Sequence, residues 1–215
     1  MNPCDVSLYG IIDPSRTRGR DLGELTAAAA EGGITLLQYR DKTADTRSLV
    51  ANARIIKAAL APYNVPLLIN DRIDVALAVG AEGVHVGQSD MTPKDARALL
   101  GADAIIGLTI KSEENAQAAP LDLIDYACIG GVYTTLSKDN PSNIGLGGWK
   151  RIAAHFRNVA PDLPVGAIAG IDAGNLEDVL NNGADGAAII SAIFMADDVE
   201  AATRELAQIV REARR

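Results

Sequence analysis

Short apolar runs alternate with longer stretches in which apolar residues recur at three- and four-residue steps. Runs of the first kind read as strands buried on both faces, and stretches of the second kind as helices laid against them. Strands are predicted near Ser7–Ile12, Thr35–Tyr39, Leu67–Asn70, Gly83–Val86, Ala104–Leu108, Ile124–Ile129, Val165–Ile168 and Ala187–Ile190. Between them, stretches such as TRSLVANARIIKAALA and NLEDVLNNG carry helical periodicity and end on Ala, Gly or Asn. Eight such βα units predict a single (β/α)8 barrel domain over residues 1–215. An open doubly wound sheet is the competing α/β arrangement, but GIIDPSRTRG follows the first strand where a dinucleotide-binding G-x-G-x-x-G would stand.

Two segments look alike, GAEGVHVG from Gly80 and GADGAAII from Gly183. They read as one short helix-to-strand connection used twice rather than as a long repeat. The stretch from Gly130 to Gly148 follows neither period and is dense in Gly, Ser, Thr, Asn and Pro. It is too long for an ordinary βα connection, so it is expected to act as a lid over a substrate, with Trp149 packing its base.

Composition narrows the setting. With 48% hydrophobic and 22% charged residues the chain has the means to build a core. A net charge of −8 argues against nucleic acid and anionic membranes as partners. No apolar run is long enough to span a bilayer, and MNPCDVSLYG lacks a basic, apolar leader pattern. Two cysteines, Cys4 and Cys128, are too few for a disulfide framework, so a cytoplasmic location is expected. Homo-oligomerisation stays open.

On an acidic chain, an anionic substrate must be caught by local cations, and in a barrel the place to look is just after each strand. Those positions hold Gln38, Arg40 and Lys42, then Asn70 and Asp71, Gln88 and Asp90, Thr109, then Thr135, Ser137 and Lys138, and finally Gly170 and Ser191. Arg40 and Lys42 are two positions apart and share one side of an extended strand. Asp71 and Asp90 follow consecutive strands and make a plausible Mg²⁺ site, since Mg²⁺ takes one or two carboxylates and leaves its other positions to water and phosphate. Arg40, Lys42 and Lys138 against two carboxylates leave little positive charge for a polyphosphate. Without a cation, each carboxylate-phosphate contact at about 4 Å costs on the order of 1 to 4 kcal/mol.

Blander roles compete for each residue. Asp71 has the position to cap the helix that begins at Arg72, whereas Asp90 precedes a helix already supplied with Thr92 as cap and Pro93 at its first position. Arg40, Lys42 and Lys138 individually fit solvated loop charges, and Ser191 fits a helix cap as well as a phosphate donor. His85 reads as a hydrogen-bonded core residue and His155 as a surface one. No Ser, His and Asp nucleophilic set is legible.

Taken together, QYRDK (Gln38 to Lys42), IND (Ile69 to Asp71), GVHVGQSD (Gly83 to Asp90), TTLSK (Thr134 to Lys138), AGI (Ala169 to Ile171) and IISAI (Ile189 to Ile193) resemble the thiamine phosphate synthase family. The resemblance implies a Mg²⁺-dependent transferase that joins a pyrimidine diphosphate to a thiazole phosphate, or its carboxylated form, and releases diphosphate. It implies that Gln38, Tyr39, Arg40, Asp41, Lys42, Asn70, Thr109 and Lys138 hold the pyrimidine diphosphate and that Asp71 and Asp90 bind Mg²⁺. Thr135, Ser137, Gly170, Ile190 and Ser191 would hold the thiazole phosphate, while Arg40, Lys42, Thr109 and Lys138 would carry catalysis. The chain departs from the family pattern at Thr109, where Ser is usual, at Thr134 and Ser137 within P-T-x-T-K, and at Ala169 within G-G-I. Two rivals remain: a thiazole tautomerase or regulatory relative, which relies on a His where this chain has Lys111, and an unrelated phosphate-binding isomerase barrel.

Overall fold

A computed structural model describes residues 4–134 and 143–214. Eight strands, β1 (Leu8–Ile12), β2 (Leu36–Tyr39), β3 (Leu67–Asn70), β4 (Gly83–Val86), β5 (Ile105–Ile110), β6 (Tyr126–Gly130), β7 (Val165–Ile168) and β8 (Gly186–Ile189), pair in parallel and in chain order, and β8 closes on β1. The predicted strands agree with these within two residues at every end, β5 running on two residues to Ile110. Helices α1 (Leu22–Gly32), α2 (Thr46–Leu60), α3 (Ile73–Val79), α4 (Pro93–Leu100), α5 (Glu113–Gln117), α6 (Gly145–Val159), α7 (Leu176–Asn181), α8 (Ser191–Phe194) and α9 (Val199–Ala213) lie around the barrel. Asp21, Asp45, Thr92, Ser112 and Asp198 cap the starts of α1, α2, α4, α5 and α9 by accepting backbone N–H bonds.

Alternation along the strands sorts side chains into two sets. Outward residues such as Leu37, Ile69, Val84 and Ile106 pack under the helices, while Tyr9, Ile11, Leu36, Leu68, Ile105, Tyr126, Cys128 and Ile168 fill the barrel. The interior accommodates two tyrosines because its strands also carry glycine. A Cβ on Gly107 would lie 2.1 Å from Tyr126 Cζ, so only glycine leaves room for that ring.

The opposite end of the barrel from the strand C-termini is closed by a motif that the sequence reading missed. At the start of a parallel strand, an N–H whose neighbour strand has not yet begun has no ladder partner. Leu67 N–H donates to Glu82 (2.8 Å), Ile106 N–H to Asp125 (2.8 Å) and Val165 N–H to Asp185 (2.6 Å). Each acid sits one residue before the next strand and pairs with a cation on the preceding even-numbered helix: Lys57, Arg97 or Arg157. Thr35 takes the fourth equivalent place before β2, accepting from Leu8 N–H with its hydroxyl at 3.1 Å. The likeness of GAEG and GADG is therefore part of a two-strand period, in which Glu82 and Asp185 do the same work.

The stretch expected to be irregular to Gly148 becomes helical at Gly145. Trp149 lies within α6, fully buried, with its indole N–H directed at Gly166 O of β7 (3.4 Å), rather than at the base of a loop. Val132 and Tyr133 continue past β6 by donating to Ile168 O and Ala169 O, both at 3.0 Å. The lid expectation rests on residues 135–142, which lie outside the described residues.

Candidate active site

The C-terminal ends of all eight strands open on one face, and there a cavity of about 330 Å³ enters the barrel. Its walls come from β1 through β7: Tyr9 and Ile11, Gln38, Arg40 and Lys42, Asn70 and Asp71, His85, Gly87 to Asp90, Thr109 and Lys111, Cys128 and Ile168.

The floor is a continuous polar chain. Gln38 Nε2 donates to the Tyr9 hydroxyl, the Tyr9 and Tyr126 hydroxyls meet at 2.8 Å, His85 Nδ1 lies 2.8 Å from the Tyr126 hydroxyl, and His85 Nε2 lies 2.7 Å from Thr109 Oγ1. The rings support one another, with Tyr9 edge-on to Tyr126 at 5.7 Å and His85 tilted against Tyr126 at 5.6 Å. Burial raises the pKa of both phenols, so they stay protonated and act as hydroxyls. His85 is the hydrogen-bonded core residue that the sequence suggested.

Charges line the rim. Arg40 is paired with Asp13, a buried residue that sequence reasoning passed over, whose carboxylate also accepts from Ser15 N–H (3.0 Å) and Ser15 Oγ (2.7 Å). Lys42 pairs with Asp71, which accepts from Asn70 Nδ2 at 2.7 Å. Burial raises the Asp71 carboxyl above its ordinary value; Lys42 acts against this and the facing Asp90 carboxylate adds to it. Asp71 does not cap α3: that helix has Arg72 at its cap position and no side-chain cap bond, and Asp71 itself is held at a left-handed φ of 59°. Asp90 accepts from Gly87 N–H at 2.8 Å, and Thr92 caps α4 as expected. Gln88 Nε2 donates to Thr109 O at 2.7 Å.

Two facing carboxylates next to cations fit a hard divalent ion that keeps most of its positions for water and ligand oxygens. The bonds from Lys42 and Asn70 fall on Oδ2 of Asp71, and the bond from Gly87 N–H falls on Oδ2 of Asp90. Among the described residues there is no cluster of three or more His, Cys, Asp or Glu suited to an all-protein metal cage.

Of the residues named from sequence, Gln38, Arg40, Lys42, Asn70, Asp71, Gln88, Asp90 and Thr109 converge on this cavity. Tyr39 and Asp41 do not. Tyr39 points outward, where its hydroxyl accepts from Asn52 of α2 (3.2 Å), and Asp41 folds back onto Thr43 and Ala44 N–H. Strand alternation explains the first, because Gln38 and Tyr39 must face opposite ways. Gly170, Ile190 and Ser191 follow β7 and β8 on the same face but are not in the wall of the cavity. Gly170 has a φ of 67° and packs so closely that a Cβ there would lie 2.6 Å from Thr134 O. Ser191 is the first residue of α8, with Ile190 at the cap position and no side-chain cap bond, so it is not the cap that sequence suggested. Thr135, Ser137 and Lys138 lie outside the described residues. Tyr9, Asp13, Tyr126 and Lys111 are additions that the structure makes; Asp13 was legible as a polar residue directly after β1.

Comparisons with known proteins bear on the same face. The model of the thiamine monophosphate synthase family matches residues 8–193. A thiamine-phosphate synthase from Agrobacterium fabrum is 48% identical over 214 residues, covering 99% of this chain and 97% of that protein. Another from Azorhizobium caulinodans is 43% identical over 215 residues, covering 100% and 99%. Among solved structures, a thiamine phosphate pyrophosphorylase from Pyrococcus furiosus matches with a TM-score of 0.86 at 36% identity, covering 98% of each chain.

Proposed function

Since this chain belongs to the thiamine monophosphate synthase family, we propose that it is a transferase that joins a pyrimidinylmethyl diphosphate to a thiazole phosphate, or its carboxylated form, giving thiamine phosphate and diphosphate. The observation that supports this reading is the convergence of Arg40, Lys42, Asp71 and Asp90 with Gln38, Asn70 and Thr109 in one cavity at the strand C-termini.

The charge balance favours Mg²⁺ at Asp71 and Asp90. The cavity and its immediate support hold Arg40, Lys42 and Lys111 against Asp13, Asp71 and Asp90, a balance near zero that would not hold a polyphosphate by itself. When bound, Mg²⁺ would supply positive charge to the phosphate oxygens.

The protein's own groups then suit a dissociative substitution. The methylene C–O bond breaks with its electron pair leaving on the diphosphate oxygen, and the thiazole nitrogen donates its lone pair to the resulting pyrimidinylmethyl cation. Arg40, steadied by Asp13, and Lys42 stabilise charge growing on the leaving oxygen without themselves bonding covalently. Gln38, Asn70 and Thr109 orient the aminopyrimidine ring. Lys138 would add a further cation, Thr135 and Ser137 would join Gly170, Ile190 and Ser191 around the thiazole phosphate, and residues 135–142 would exclude water from the cation. No protein nucleophile or general base is needed.

A tautomerase reading would call for an imidazole after β5, where Lys111 lines the cavity. Cys4 and Cys128 are buried thiols outside any disulfide, which suits a reducing cytoplasm, and among the described residues no helix is long and apolar enough to cross a membrane. Incubation with both substrates, with and without EDTA, tests the assignment. Stoichiometric thiamine phosphate and diphosphate, abolished by EDTA, are expected; no diphosphate release with either substrate pair overturns it. Lys138→Ala is expected to lower kcat by at least about tenfold while sparing KM, as for a contact made mainly in the transition state.

A further inference from the structure

The polar chain beneath the cavity has a direction, and that direction fixes what the cavity offers a ligand. A carboxamide nitrogen can only donate, so at the Gln38–Tyr9 contact the Tyr9 oxygen accepts. Tyr9 has one proton, which therefore goes to the Tyr126 oxygen; Tyr126 has one proton, which goes to His85 Nδ1. A ring nitrogen that accepts carries no proton, so this direction requires the neutral Nε2–H tautomer of His85, which then donates to Thr109 Oγ1.

We infer that Tyr9, Tyr126 and His85 are positioning residues that present Gln38 to the cavity as an acceptor, through Oε1, and Thr109 as a hydroxyl donor. This pair is complementary to a heteroaromatic ring with an exocyclic N–H donor and a ring-nitrogen acceptor, the amino form of a pyrimidine and not its oxo form. Reversing any one bond reverses all of them and would exchange the two roles. The four strands involved besides β2 contribute one link each, so the specificity of Gln38 and Thr109 depends on the proton order of Tyr9, Tyr126 and His85 behind them. The ligand half of this inference rests on the function proposed above; the direction of the chain does not.

Two measurements separate these halves. Protein labelled with ¹⁵N in its imidazoles, carrying His155→Gln on α6 so that His85 is the sole histidine, should give at neutral pH and without ligand a protonated Nε2 and an unprotonated Nδ1. An Nδ1–H ring or an imidazolium overturns the polarity. In competition assays, the amino form of a pyrimidinylmethanol should bind about tenfold better than its oxo counterpart, and Tyr126→Phe should bring the ratio close to one, the worth of about one oriented hydrogen bond. In that variant KM for the pyrimidine diphosphate should rise while KM for the thiazole phosphate holds. An unchanged ratio, or an equal rise in both KM values, overturns the positioning role. Failure of either ring to bind overturns the ring assignment, while the imidazole spectrum still judges the direction.

Discussion

Replacing Asp13 with Asn removes one charge from beneath Arg40 and leaves the rest of the β1 turn intact. Asn keeps a carbonyl oxygen for Ser15 N–H and Ser15 Oγ, which Asp13 Oδ1 accepts at 3.0 and 2.7 Å, while Oδ2, the partner of Arg40, becomes an amide that cannot accept. The side chains of the pair are 6% and 18% exposed, so solvent cannot replace the lost contact. A hydrogen bond to a charged group contributes about 1.5–3 kcal/mol, and breaking a buried ion pair costs roughly 3–5 kcal/mol. Because the capping half of Asp13 survives, a loss of about 2–3 kcal/mol is expected, or roughly 4–12 °C in Tm for a chain of this size. The informative comparison is between unfolding without ligand and with saturating Mg²⁺ and diphosphate. If Arg40 faces the anion, bound diphosphate supplies its missing partner and the deficit shrinks. A deficit that is the same with and without the anion, or one under about 0.5 kcal/mol in its absence, would refute this account of Arg40.

Other predictions follow from single features. Asp185→Ala leaves Val165 N–H without its acceptor at 2.6 Å and Arg157 with only Gly183 O of its two partners, so a loss of about 1–3 kcal/mol in urea unfolding is expected with kcat unchanged. Ala169 is held at a φ of 88°; Ala169→Gly should relieve more backbone strain than the added unfolded-state freedom costs, raising stability by about 0.5–1 kcal/mol, and a fall in Tm would count against that backbone. The raised Asp71 carboxyl stabilises the metal-free fold at low pH and withdraws that contribution as pH climbs through its folded value. A proton there competes with the cation, so Mg²⁺ affinity measured by titration calorimetry should begin to weaken on acidification at a pH above the ordinary Asp range, and that acid limb should be absent in Asp71→Asn.

The barrel was legible because both of its surfaces are apolar: every strand in the chain is a compact hydrophobic run, and parallel strands buried on both faces leave that trace. The site was legible where a polar residue interrupts the pattern at a strand end, as Gln38, Arg40, Asn70, Asp71 and Thr109 do. Tyr39 and Asp41 were included through their neighbours in QYRDK, and the alternation of strand side chains sends Tyr39 to the helices. Tyr126 was invisible because a tyrosine at the start of an apolar strand reads as core; its role depends on Gly107, two strand positions before Thr109, vacating the space for its ring. The acids at the strand starts, Glu82, Asp125 and Asp185, were hidden for another reason. Their partners are backbone N–H groups and helix cations far away in the chain, and neither is signalled by local pattern.

A crystal structure with Mg²⁺ and diphosphate tests the central claim most directly. The account predicts one metal ion bridging Asp71 and Asp90 and a diphosphate seated against Arg40 and Lys42 in the cavity at the strand C-termini. Metal and anion bound apart, or the anion held at the opposite end of the barrel in the groove lined by Arg54 and Lys57, would contradict it.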